Sequence, residues 1–232
     1  TTSAIPVILD TDVGNDIDDV LAMQMLLNYE KKGKIDLLGI TISKCNPYSL
    51  EYIDAYCRFN DKYDIPLGYA YNGMNTDDGH YLRQTLDTII DNNEILHPKR
   101  SLKDHIPEGY KLLRKLLAEQ EDHSVVFIAL GPETNLARLL ISEADEYSEL
   151  DGKALVAQKV KLLSVMGGLY GNEFDFPEWN IANDLNAAQI TFKEWPTPII
   201  ASGWELGNKI RYPHQSILND FAGSYKHPLC VS

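Results

Sequence analysis

"IPVILDTDVGNDIDD" (residues 5–19) opens on an apolar, β-branched run and closes on a cluster of acids. Ile5, Val7, Ile8 and Leu9 read as a buried strand over 5–10. Directly behind them Asp10, Asp12, Asp16, Asp18 and Asp19 fall within ten residues. Carboxylates this close repel and raise one another's pKa. A chain gains nothing by crowding them at the end of a buried strand unless something answers the charge. "DDVLAMQMLLNYEKKG" (18–33) then reads as a mostly buried helix with a glycine stop. Asp16 or Asp18 is its natural cap.

The unit repeats along the chain. Strands are expected at 35–43, 65–70, 124–130, 160–168 and 197–202, and helices at 48–60, 108–120, 132–144 and 184–195. The run "SVVFIAL" (124–130) has the continuous apolar character of a strand buried on both faces, and Pro132 is expected in the first turn of the helix behind it. Alternating strands and helices at this spacing predict an α/β fold, a mostly parallel central β-sheet with helices on both faces. There is no internal repeat and no low-complexity linker. With 232 residues, 44% of them hydrophobic, the chain reads as a single domain over 1–232.

The formal charge is −13, which argues against a nucleic-acid partner bound through a broad basic face. It suits cations and small neutral or cationic ligands. The three cysteines show no C-x-x-C spacing, so neither a disulfide framework nor a zinc site is implied. No apolar run reaches the roughly 18 residues of a membrane span, so no membrane partner is expected. The chain begins "TTSAIP" without Met or a signal peptide, which leaves the compartment open between cytoplasmic and exported.

In open parallel sheets ligands collect outside the carboxyl ends of the strands, and the unusual residues fall there. The aspartates follow the first strand and Asn46 the second. "LGPETN" follows the strand ending at Leu130, and "GGLYGNEFDFPEWN" the strand ending near Met166. A hard divalent cation held by carboxylate oxygens would remove the repulsion at the first of these ends. No His or Cys stands beside it, which argues against zinc. The plainer reading is capping, which accounts for one or two aspartates and not for five. Taken alone, "GPETN" is a strand-to-helix turn, Gly167 and Gly168 are turn glycines, and Asn172, Glu178 and Asn180 are loop polars. The six histidines show no ligand spacing and read as surface residues. Tyr170, Phe174, Trp179 and Trp204 are suited to stacking on a base but are commoner in cores.

The ordered set of segments resembles the calcium-dependent nucleoside hydrolases of the inosine–uridine-preferring type. "DTDVGNDIDDVLAM" resembles the family's D-x-D-x-G…D-D motif. "GITISKCN" is similar to its second-strand segment, "ALGPETNLA" to its "LGPLTNLA" segment, and "MGGLYGNEFDFPEWNIANDLNAA" to its "MGG…GN…AEFN…DPEAA" segment. The resemblance covers nearly the whole chain. It implies hydrolysis of the N-glycosidic bond of a ribonucleoside to free base and ribose, with Ca2+ as cofactor and a homo-oligomer, dimer or tetramer, as the assembly. Carried over residue by residue, Asp12 is calcium ligand and general base, Asp19 a bidentate ligand, and Leu130 a ligand through its carbonyl. Asp18, Asn46, Asn172, Glu178 and Asn180 are the ribose contacts, and Asp10 supports the loop. Asp16 lies in a two-residue insertion relative to the family motif and is a further candidate ligand.

The resemblance also implies a late Asp and a neighbouring His from a segment past the last family-like strand. The chain is expected to lack that C-terminal part, with Asp220 and His227 the nearest substitutes. Two other readings compete: a nucleoside- or sugar-binding relative whose chemistry has lapsed, and a haloacid-dehalogenase-type phosphatase. In the latter Asp10 would be the nucleophile, Asp12 the acid/base and Lys44 the lysine.

Overall fold

The apolar run at the start becomes strand β1 (Ile5–Thr11), buried from Val7 onward. The computed structural model describes residues 3–96, 106–171, 173–221, 223–224 and 226–232. Behind β1 come α1 (Asp18–Lys31), β2 (Ile35–Ile42), α2 (Pro47–Phe59), β3 (Leu67–Tyr69) and α3 (Leu82–Leu86). Next are the two-residue strands β4 (Ile89–Ile90) and β5 (Asn93–Glu94), then α4 (Gly109–Ala118), β6 (Val125–Ala129), α5 (Thr134–Leu140), α6 (Gly152–Lys159) and β7 (Val160–Met166). The chain continues through α7 (Trp179–Asn183), α8 (Leu185–Glu194), β8 (Ile199–Ser202), α9 (Trp204–Lys209), α10 (His214–Asp220) and α11 (Pro228–Val231).

Six strands form one parallel sheet in the order β3-β2-β1-β6-β7-β8, and β4 and β5 pair antiparallel apart from it. The chain builds outward from β1 to β3, then returns to the other side of β1 and builds outward again. The order reverses between β1 and β6, where a crevice opens at the carboxyl ends of the strands. Alternation along β1 divides the core. Val7 and Leu9 pack with Val20 and Met23 of α1 and Ile53 of α2. Ile8, between them, packs with Leu113 and Leu117 of α4, Phe127 and Leu136. Helices therefore cover both faces, as the alternating pattern predicts.

Local details depart from the expectations. Ile17, not an aspartate, occupies the cap position of α1, and it already has helical backbone angles with no side-chain cap. Asp18 and Asp19 stand instead in the first turn, where the helix dipole favours them. Helix α5 begins at Thr134 with Glu133 at its cap, so Pro132 precedes the helix. On β6, Val126 and Ile128 are only half-buried, packed at the margin of the cluster on the α1 side. The short elements α3, α6, α7, α9, α10 and α11 and the β4–β5 pair are too brief for periodicity to reveal.

The connection from α5 to α6 is held by one buried cation. The Arg114 side chain of α4 is fully buried. It pairs with Asp145 through Nε (2.7 Å) and Nη2 (3.0 Å). It also donates to the Ser142 hydroxyl and to the carbonyls of Ser148 and Leu150. Replacing it by alanine removes the donor of two carbonyls, while Asp145, partly exposed, keeps the amides of Tyr147 and Ser148. R114A is expected to lose roughly 2–4 kcal/mol of stability in urea denaturation, mainly from carbonyls left without this partner and from lost packing.

Candidate active site

The carboxyl end of β1 is built around two buried aspartates, Asp10 and Asp12, with the half-buried Asp19 of α1 beside them. Asp10 is fully buried, and its Oδ2 accepts from Thr41 Oγ1 (2.5 Å) on β2 and Asn135 Nδ2 (2.8 Å) on α5. Burial pushes its pKa up to about 7, against the hydrogen bonds from Thr41 and Asn135. Its backbone carbonyl accepts from Leu130 N at 2.9 Å, tying the end of β6 to β1.

Two residues on, Asp12 reaches the crevice. Its Oδ2 accepts from Asn75 Nδ2 at 3.0 Å. Burial raises its pKa, Lys44 opposes the shift, and Asp10 adds to it. Asp19 accepts from Thr11 Oγ1 at 2.5 Å. Burial, then the charge of Asp12, holds its carboxyl well above the ordinary range. Burial and Asp16 raise Asp18 as well.

From the other half of the sheet come Leu130, Glu178 and Asn180. Asn180 Nδ2 donates to the carbonyls of Leu130 (2.8 Å) and Met166 (3.1 Å), bracketing the ends of β6 and β7. Glu178 caps α7 and accepts from the backbone of Gly168, Asn180 and Ile181. Gly131 lets the chain after β6 approach β1: a Cβ there would lie 2.7 Å from Cβ and Cγ of Asp12. The glycine of "LGP" is thus a condition for closing the crevice.

The result is a cavity of about 800 Å³, within the range of small-molecule sites. Of the residues singled out in sequence, Asp12, Asp16, Asp18, Asp19, Leu130, Glu178 and Asn180 line it. Asp10 lies beneath, enclosed by its hydrogen bonds. Asn46 caps α2, accepting from Tyr48 N, and its amide donates to Asp78 Oδ1 at 2.9 Å. It stands behind Asp78, which is in the lining. Asn172 lies outside the described residues, as do His97 and His105. Neither Asp220 nor His227 lines the cavity. His227 caps α11 and packs on Phe59.

Sequence reasoning missed the segment after β3. Asp77, Asp78, Gly79 and His80 line the cavity, and Asn75 touches Asp12 behind them. "MNTDDGH" (74–80) carries the signature sought at the other strand ends, but it stands five residues past the end of β3 at Tyr69, inside what reads as a polar loop. Trp179 and Trp204 also line the cavity. Trp179 is 54% exposed, and Trp204 stacks edge-on with Phe174 and Phe176. These aromatics are therefore not core. The phosphatase reading fails on geometry: Asp10 does not face the cavity, and the Lys44 ammonium pairs with Asp77 at 2.6 Å.

The family described as inosine-uridine preferring nucleoside hydrolase matches residues 7–229. This chain belongs to that family. The pyrimidine-specific ribonucleoside hydrolase RihA of Escherichia coli (strain SMS-3-5 / SECEC) is 27% identical over 221 residues, a match covering 89% of this chain and 62% of the relative. The chain thus spans under two thirds of the length of that curated relative. Among solved structures, the plant nucleoside hydrolase PpNRh1 superposes with a TM-score of 0.70 at 21% identity, covering 97% of this chain and 69% of that one. A purine-preferring ribonucleoside hydrolase from Gardnerella vaginalis gives 0.68 at 17% identity, with coverage of 97% and 69%. At such identities the structural likeness establishes the nucleoside hydrolase fold.

One buried acid in this family member lies outside the expected set. Glu133 is fully buried, and its carboxylate oxygens accept no hydrogen bond from another residue. Burial, with Glu178, Asp10 and Asp184 nearby, pushes its pKa from 4.5 up to about 8. A carboxyl raised on folding lends stability fully present below pH 4.5, which is lost as pH rises toward 8. E133Q, which cannot ionise, is expected to lose several kcal/mol less than the wild type between pH 5 and 8.5, at about 1.4 kcal/mol per pKa unit. Urea denaturation at the two pH values checks this.

Proposed function

We propose that this chain carries the catalytic site of an N-ribosyl hydrolase, cleaving the N-glycosidic bond of a ribonucleoside or related N-riboside to free base and ribose. The observation that carries the reading is Asp12. One of its oxygens is engaged by Asn75, and the residue lines a cavity shared with Asp19 and Leu130.

The three donors assigned here, the Asp12 and Asp19 carboxylates and the Leu130 carbonyl, are oxygens, which suits a hard cation. Among the described residues no three His, Cys, Asp or Glu side chains gather into a ready cage. The donor set in this reading is therefore two carboxylates, Asp12 and Asp19, with the Leu130 carbonyl. That Asp12 raises the pKa of half-buried Asp19 is the imbalance a divalent cation would answer. Calcium, when bound, lowers the pKa of a coordinated water and steadies ribose hydroxyls. Asp16 lines the same cavity and stands as a further oxygen donor.

The rest falls to the chain's own side chains. Asp12 takes a proton from water on the oxygen that Asn75 leaves open. The water oxygen bonds to C1′ as the C1′–N bond breaks, and that electron pair leaves with the base. The sugar passes through an oxocarbenium-like state. Asp18, Glu178 and Asn180 hold ribose hydroxyls from the cavity wall. Asn172 is assigned to the same task from its place in the sequence. Asn46 acts through Asp78. Trp179 and Trp204 offer faces on which a heterocycle stacks. Relatives named as pyrimidine-specific and as purine-preferring both resemble this chain, so the reading stays at the level of the riboside.

Binding without turnover is the second reading. It is favoured by the absence of Asp220 and His227 from the lining. Calorimetry with a nucleoside, run beside an assay of base release, separates the two: heat of binding with no released base would establish it. For the hydrolase, D12N is expected to cut turnover by about 10²–10⁴-fold, the usual contribution of a positioned general base, with the fold intact. D19A is expected to weaken calcium binding in a direct titration, and chelation to stop base release in the wild type. A D12N variant with near-wild-type turnover would remove Asp12 from the role of base.

A further inference from the structure

The proposed base has one side-chain donor among the described residues, and that donor comes from the segment sequence reasoning overlooked. Asn75 is 1% exposed. Its Nδ2 donates to Asp12 Oδ2 at 3.0 Å. Its backbone is pinned beside the end of β2: Cys45 N donates to Asn75 O at 2.6 Å, and Lys44 and Asn75 form an isolated parallel bridge.

Behind Asn75 stands a buried ammonium. The Lys44 side chain is fully buried. Its Nζ donates to Asn15 Oδ1 (2.7 Å) and Asp77 Oδ1 (2.6 Å), with longer contacts to Asp77 O (3.4 Å) and Asn75 Oδ1 (3.5 Å). One cation thus gathers the loop after β1 and the loop after β3. His80 N donates to Gly14 O at 2.6 Å, and the Tyr81 hydroxyl joins the same two loops through Gly14 N and Asp16 O.

The aspartate χ2 torsion is broad and roughly two-fold, so an unbraced carboxylate does not present one oxygen in one direction. On one side of Asp12 the backbone at Gly131 is a wall close against its Cβ and Cγ. The amide of Asn75 holds Oδ2 and leaves Oδ1 for the cavity. We infer that Asn75 is a positioning residue for Asp12, and that Lys44 is the buried cation that fixes Asn75 and the loop carrying it. The inference rests on the hydrolase reading for its kinetic consequence, but not for its structural one.

The test uses N75L, which removes the donor and keeps an apolar side chain in a buried place, and N75Q, which restores an amide. Misorientation of a base costs turnover and spares binding, so N75L is expected to lose about 100-fold in kcat with KM within about threefold of wild type. N75Q is expected to recover at least roughly tenfold of that loss, and K44M to lose about tenfold in kcat. In the crystal structure of N75L the Asp12 carboxylate is expected to turn or to occupy two conformers. If N75L does not fold, N75A carries the same two readouts. Wild-type kcat in N75L, equal defects in N75L and N75Q, or an unmoved Asp12 in the N75L crystal would overturn the inference. If the wild type releases base from no riboside, the hydrolase reading falls, and the orientation of Asp12 in the crystal alone decides the brace.

Discussion

Three carboxylates, the buried Asp10 and Asp12 and the half-buried Asp19, gather at the end of one strand, and the surrounding chain is arranged to keep them there. Each is answered from a different part of the fold. Thr41 on β2 and Asn135 on α5 donate to Asp10. Thr11 donates to Asp19, and Asn75, beyond β3, to Asp12. None of these donors is a neighbour in sequence except Thr11. The strand order supplies them: β1 lies between β2 and β6, so both neighbouring strand ends deliver polar groups to it. The charge is still incompletely answered. Burial raises all three carboxyls, and Lys44 is the buried ammonium that opposes the shift at Asp12. In the proposed reading, a cation held by Asp12 and Asp19 answers this charge.

The part of this legible in sequence was the part encoded locally. Short apolar runs set the strands, and the rule that ligands sit at their carboxyl ends places Asp12, Asp19, Leu130, Glu178 and Asn180 in one region. What the sequence did not reveal is which face of a residue is already occupied. Asn46 stands at a strand end, yet its side chain caps α2 and holds Asp78. Glu178 lies in the cavity wall, yet its carboxylate also holds three backbone amides of its own segment. The bracing role of Asn75 and Lys44, the latter read only as the lysine of the phosphatase alternative, escapes the sequence for a related reason. Their roles depend on the register between the end of β2 and a loop 30 residues away, which no local pattern records.

The two halves of the sheet contribute differently to the cavity. The loops after β1 and β3 bring carboxylates: Asp12, Asp16, Asp18 and Asp19 from one, Asp77 and Asp78 from the other. The loops after β7 and β8 bring Trp179 and Trp204, the latter backed by Phe174 and Phe176. Glu178 and Asn180 flank Trp179 in the sequence and line the cavity too, so the aromatic faces stand beside polar groups rather than apart from them. In the proposed reaction the polar groups hold the ribose and the aromatic faces are left for the base.

The seam between the two halves is where the tolerances are tightest. Asn180 spans the last carbonyls of β6 and β7, and Leu130 N closes on Asp10 O. Gly131 then passes so near Asp12 that a Cβ would lie inside contact distance of Asp12 and of the Ser43 hydroxyl. A side chain at this point could be accommodated only by moving β6 away from β1 or by turning Asp12. The first would draw the Leu130 carbonyl away from the two carboxylates, and the second would break the Asn75 hydrogen bond. The glycine after Leu130 is therefore part of the site's geometry although it offers no functional group. Its missing Cβ lets the chain just after β6 close on Asp12, just after β1.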